Sequence, residues 1–215
     1  MDGVLVDSMP IHALTWRQTA LKYGLRAEKE EFYDFEGMKG ADTIRILYER
    51  TFGNEPDPEL VQEIYAYKSD LFATHKREMP PIPGAREVMV ELNKRGIRIG
   101  VVTGSTMHNA APRIERYYGD FVSLDNVVTA DIVSKGKPMP DPYLKGVEKI
   151  GFPKEEVAVV ENAPLGIRSA HSAGLFTFAV TTGPIPLYKL REEGANLIFG
   201  NMRGLLAWWR STFRR

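Results

Sequence analysis

The chain has 215 residues, 43% of them hydrophobic and 26% charged, which is enough to bury a core and too ordinary a composition for a disordered or collagen-like chain. Its 28 Lys plus Arg balance 28 Asp plus Glu, so no basic footprint for nucleic acid or a membrane surface is present. The absence of cysteine excludes disulfides, thiolate zinc sites and cysteine nucleophiles.

In chain order, Met1-Asp2-Gly3-Val4-Leu5-Val6-Asp7-Ser8 reads as the turn that leaves a strand, with a hinge at Asp7 and Ser8. Residues 9–77 then show helical periodicity (Leu14, Leu21; Ile44, Leu47; Leu60, Ile64, Leu71) and no buried strand, which predicts a helical insert. The run Met79-Pro80-Pro81-Ile82-Pro83-Gly84 cannot continue a helix and stiffens the connection, so a second hinge is expected there. From Pro83 onward five short apolar runs, at 97–102, 126–129, 157–160, 176–180 and 196–199, alternate with helical stretches at 85–95, 142–150 and 165–173. Such alternation predicts an α/β unit built on a parallel sheet, and Gly96, Gly151 and Gly174 fit helix ends in the left-handed conformation. Trp208 and Trp209, among arginines, read as a terminal helix that packs one ring. No apolar run approaches the roughly 20 residues of a spanning helix and no signal-peptide pattern opens the chain, so a cytoplasmic location is expected.

Chemistry gathers on the loops after the predicted strands, where open α/β sheets collect ligands. Thr103 with Gly104 and Ser105 offers a hydroxyl and close backbone donors to phosphoryl oxygens, although a threonine capping the next helix has the same look. Lys137, in Lys135-Gly136-Lys137-Pro138-Met139-Pro140-Asp141-Pro142, is a loop cation that can be aimed at a phosphoryl group. Glu161 and Asn162, in Val159-Val160-Glu161-Asn162-Ala163-Pro164-Leu165-Gly166, bring two oxygen-bearing side chains that suit a hard cation such as magnesium, or else cap the helix near Pro164. His75, His108 and His171 are not set at metal-ligand spacing along the sequence, so no histidine metal site is expected.

Those three segments and the N-terminal one, in this order and spacing, resemble the haloacid dehalogenase superfamily, in particular its branch of beta-phosphoglucomutase and small-molecule phosphatases with a helical cap. The resemblance covers nearly the whole chain. It implies a Rossmann-like parallel sheet core at 1–8 and 78–215 with the cap at 9–77. Asp2 matches the second Asp of the family's Asp-x-Asp motif, the general acid and base. The first, the nucleophile, falls before Met1, as does the strand that leads into it, so the native protein is expected to begin upstream with an apolar strand in the middle of the sheet.

The resemblance further implies that Thr103, with Gly104 and Ser105, binds phosphate, that Lys137 is catalytic, and that Mg2+ is held by Asp2, Glu161 and Asn162. Asn162 departs from the commoner pair of acids. In the cap loop Glu36-Gly37-Met38-Lys39-Gly40, Glu36 or Lys39 is placed to reach phosphate on closure, and His12 and Trp16 match cap-helix positions near the hinge that serve equally well as packing. The segments Ser105-Thr106-Met107-His108-Asn109 and Gly40-Ala41-Asp42-Thr43 lack the cations of a second-phosphate clamp. A monomeric magnesium-dependent phosphatase of small phosphorylated metabolites, or of pyrophosphate, is therefore expected ahead of a phosphohexomutase. A non-catalytic phosphate-binding protein is the alternative of a different class.

Overall fold

The computed structural model describes residues 1–28, 30–75 and 79–213. Four helices form the insert: α1 (Met9–Tyr23), α2 (Glu31–Asp34), α3 (Gly40–Phe52) and α4 (Pro58–Thr74). Proline in the first turn starts α1 and α4, where its missing N–H costs nothing, and left-handed Gly24 and Gly53 end α1 and α3. Their apolar stripes meet in a separate cluster that includes Trp16, Phe32, Ile44, Leu47 and Ile64. The expected boundary at 77–78 lies outside the described residues.

The remainder alternates strand and helix as expected: α5 (Ala85–Lys94), β1 (Val101–Val102), α6 (Met107–Tyr118), β2 (Val127–Val128), α7 (Asp141–Ile150), β3 (Ala158–Glu161), α8 (Pro164–Ser172), β4 (Phe176–Val180), α9 (Leu187–Glu192), β5 (Leu197–Phe199) and α10 (Met202–Thr212). All strand pairs are parallel, in two groups, β1–β2 and β3–β4–β5. β1 is much shorter than its apolar run. A strand lasts only as long as its ladder, and β1 pairs with β2 alone over two residues.

Among the described residues, one edge of β1 and one edge of β3 lack a strand partner. Both strands line a slot of about 460 Å³, walled by apolar side chains such as Val102, Val160, Leu92, Phe178 and Leu205, and Met1 opens into it. The buried indole Nε1 of Trp209, another of its walls, has no hydrogen-bond partner. Both terminal tryptophans therefore pack, where the sequence suggested one. Trp208 lies against Phe178 and Phe199 at ring distances of 5.4 and 5.6 Å, and Trp209 faces the slot.

The first residues form a tight turn. The amides of Val4, Leu5 and Val6 all donate to the Met1 carbonyl, and the Asp7 amide donates to the Pro80 carbonyl, so the two predicted hinges lie side by side. Among the described residues no helix is long and apolar enough to cross a membrane.

Candidate active site

Asp2 leaves the turn with its side chain buried at the end of β1. Its Oδ1 accepts from Ser8 Oγ at 2.5 Å and Arg113 Nη1 at 3.3 Å, and its Oδ2 accepts from Thr103 Oγ1 at 3.1 Å. His12 Nε2 stands 3.4 Å from Oδ1. Burial pushes this carboxyl up, but the Arg113 guanidinium and His12 outweigh it and hold Asp2 well below the usual carboxylate range. Thr103 keeps its place because its amide continues the β1–β2 ladder to the Val128 carbonyl, while its Oγ1 accepts from the Ser105 amide.

A second group surrounds Glu161 at the end of β3. Its Oε1 accepts from Lys137 Nζ at 2.5 Å and Tyr143 OH at 2.6 Å, and its Oε2 accepts from the Asn162 amide at 2.9 Å. Burial raises this carboxyl too, and Lys137 overrides it, bringing Glu161 down to about 2. The neighbouring Asn162 Oδ1 is buried with no hydrogen-bond partner. An unspent carbonyl oxygen beside an ionised carboxylate is the donor set a hard cation takes, so these residues fit magnesium. Glu161 and Asp2 both spend their oxygens on protein donors, so of the three expected ligands Asn162 is the one whose side-chain oxygen stands without a partner.

The insert closes over this floor. A small cavity, about 40 Å³, is lined by Asp2, His12, Trp16, Glu36, Lys68 and Ser105 among others. Burial, and then the Asp2 charge, lift Glu36 to about 7. Lys68, reaching down from α4, donates to His12 Nδ1 at 2.8 Å, and burial pulls its ammonium down to about 8. His12 stacks on Phe72 at 4.1 Å, so packing and polar contact coexist in one ring. Asp2, His12 and Glu36 present donor atoms within 4.8 Å of one another. Two cations, Lys68 and Arg113, already face that cluster, and a metal ion there would meet their repulsion.

Lys39 does not enter the cavity. Its Nζ donates to the Val133 carbonyl at 2.9 Å and lies 3.5 Å from that of Ser134, strapping the loop after α2 to the loop after β2. Along the same seam a Cβ on Gly104 would fall 2.6 Å from the Gly37 carbonyl oxygen, and one on Gly136 would strike the Lys39 stem at 2.4 Å. Only bare backbone lets the two halves meet this closely. Lys39→Ala removes a charge-assisted bond worth about 1.4 kcal/mol, so KM should rise about tenfold with little change in the thermal midpoint. Parallel steady-state kinetics and melting curves check this; unchanged KM in an active protein removes Lys39 from closure.

Arg113, Tyr143 and Lys68 escaped the sequence reading, and Ser8 entered it only as a hinge residue. Two of them carried a signal. Arg113 shares the buried face of α6 with Ala110, Ile114 and Tyr118, and Lys68 that of α4 with Val61, Ile64 and Phe72. A cation in an apolar stripe needs a buried partner.

A family model described as haloacid dehalogenase-like hydrolase matches residues 1–180. Hexitol phosphatase A of Escherichia coli is 31% identical over 192 residues, covering 89% of this chain and 85% of that protein. The phosphorylated carbohydrates phosphatase of Thermotoga maritima is 27% identical over 180 residues, covering 81% and 79%. A solved structure from Bacteroides vulgatus, provisionally assigned as a beta-phosphoglucomutase, superposes with a TM-score of 0.93 at 38% identity, covering 100% of this chain and 88% of that one. With the motif loops gathered at the strand ends and the family model spanning most of the sequence, the chain belongs to the haloacid dehalogenase-like hydrolases.

Proposed function

We propose that this protein is a magnesium-dependent phosphohydrolase of small phosphorylated carbohydrates, acting as a cytoplasmic monomer through an aspartyl-phosphate on a carboxylate two residues before Asp2. The observation that carries the reading is Asp2 itself: a buried, ionised carboxylate beside the phosphate-loop threonine and under a closed cap. Similarity to the hexitol and carbohydrate phosphatases supports the substrate class.

In this reading Thr103 Oγ1 and the backbone of Gly104 and Ser105 orient the phosphoryl oxygens, and Lys137 offsets their charge. Asp2, ionised at rest, would first take up the proton that a phosphate monoanion brings with it, give that proton to the leaving oxygen, and as the restored carboxylate take one from the attacking water. The cap loop excludes bulk water. Glu161 and Asn162, with Asp2 at the rim, would hold magnesium, which when bound neutralises charge on the phosphoryl group. Hydrolysis of pyrophosphate is a second reading, favoured by the small polar cavity of about 40 Å³. A mutase is disfavoured because the segments Ser105-Thr106-Met107-His108-Asn109 and, beyond Lys39 in the cap, Gly40-Ala41-Asp42-Thr43 lack the lysines and arginines of a second-phosphate clamp.

The test is turnover of an aryl phosphate, hexitol and hexose phosphates, and pyrophosphate by a chain that includes the upstream aspartate, with magnesium and with chelator. Asp2→Asn should lower kcat by about 10²- to 10⁴-fold. Phosphate binding without turnover would instead establish the non-catalytic alternative.

A further inference from the structure

Asn162 is held more tightly than its place beside Glu161 requires. Its Nδ2 faces Met9 Sδ in direct contact, the two atoms 2.7 Å apart, while its Oδ1 is buried without a partner. A thioether sulfur has lone pairs and no proton, so it only accepts. The sulfur therefore selects the amide end that faces it, and the carbonyl end must point the other way.

The contact is enforced from outside. Met9 and Asn162 are each 2% exposed. A Cβ on Gly3, whose φ is +70°, would fall 2.0 Å from Asn162 Nδ2 and 2.6 Å from Met9 Sδ, and one on Gly183 would lie 3.3 Å from Met9 Sδ and Cε. Bare backbone at Gly3 thus leaves the space in which thioether and amide meet, since a side chain there would strike both, while Gly183 leaves little slack on the other side of the sulfur.

We propose that Met9 is a positioning residue, whose sulfur locks Asn162 in the amide orientation that offers Oδ1 to a divalent cation beside Glu161. The inference rests on the cation reading above. It accounts for a neutral side chain at this place: an aspartate at 162 would turn lone pairs toward the lone pairs of Met9 Sδ, whereas an asparagine turns a donor. Met9 with Asn162 is a matched pair, and Met9 with an acid is not. Because Met9 opens α1, the orientation of the donor is also tied to the first residue of the insert.

The experiment measures Mn2+ binding, by the electron paramagnetic resonance of the free ion, to the unaltered protein, Met9→Leu, Asn162→Asp and the double variant. Leucine conserves volume, so the fold should persist. Met9→Leu should weaken Mn2+ binding about tenfold. Asn162→Asp should gain more affinity in the leucine background than beside Met9, by roughly threefold or more. In the metal-free protein, nuclear Overhauser contacts should join the Asn162 side-chain amide protons to the Met9 methyl group. Uptake that Met9→Leu leaves unchanged, effects that simply multiply, or absence of those contacts overturns this inference alone. No saturable uptake by the unaltered protein overturns the cation reading and this inference with it.

Discussion

Replacing Lys137 by Met should cost about 3 to 5 kcal/mol of folding stability at neutral pH, the usual effect of removing one partner from a buried ion pair. Lys137 Nζ and Glu161 Oε1 are 2.5 Å apart, with side chains 4% and 6% exposed. The variant leaves Glu161 with the Tyr143 hydroxyl and the Asn162 amide but no countercharge. The sign of the pH dependence follows from the same pair. Glu161 sits at about 2 in the folded protein and near 4.3 when unfolded, so its stabilisation is complete above the unfolded value and is lost as pH falls toward 2. That window holds roughly 3 kcal/mol. In Lys137→Met, burial is opposed only by the Tyr143 and Asn162 hydrogen bonds and no longer by a countercharge, so the carboxyl should rise and acid should relieve the variant while it weakens the parent. Urea unfolding at pH 7 and pH 3 should show the gap between the two proteins narrowing in acid. A gap of equal size at both pH values would mean that the loss comes from packing and not from the stranded carboxylate.

Adding an apolar strand of about five residues ahead of Met1, ending in aspartate, should stabilise the fold by several kcal/mol. The slot between β1 and β3 measures about 460 Å³; filling it at about 24 cal/mol per Å³ sets an upper bound near 11 kcal/mol. Ordering the added residues takes back about 1 to 2 kcal/mol each. Hydrogen bonds to the two open strand edges then return about 1 kcal/mol apiece. The direction is set by Met1, which already points into the slot, so the added chain enters between two parallel edges with its own backbone groups aligned to both. Denaturant midpoints of the two chains, measured together, decide the matter. Identical midpoints would show that the slot does not take a strand.

Thr103 and Glu161 could be placed from the sequence because each lies at a predictable strand end, and Lys137 because the loop ahead of α7 was itself predictable, all of them properties of local pattern. The order of strands and helices was legible for the same reason. The partners of these residues were not. Tyr143 meets Glu161 only because α7 packs beside β3, and Arg113 meets Asp2 only after α6 has folded against the N-terminal turn; neither adjacency leaves a periodic trace along the chain. The length of β1 misled for a related reason. Ile97 to Val102 is apolar enough for a long strand, but pairing, which depends on neighbours distant in sequence, decides how much of it becomes one. Lys39 shows the limit for side-chain direction: the residue was found, and the turn at Gly37 and Met38 sends its ammonium to the carbonyls after β2 instead of into the cavity.

The seam formed by Gly37, Gly104 and Gly136 has a consequence for how this enzyme family member can change its preferences. Contact there is made by main chain and by one strap, whereas the walls that the helices give the cavity, such as Trp16, Phe32 and Tyr65, belong to or pack on the hydrophobic core of those helices. Seam and walls thus draw on different parts of the chain, bare backbone at the glycines and side chains on the helices. A library confined to those three residues, with the glycines left intact, should yield altered substrate ranges only among members that conserve the volume of the helical core, and large-to-small changes should lower the thermal midpoint as well.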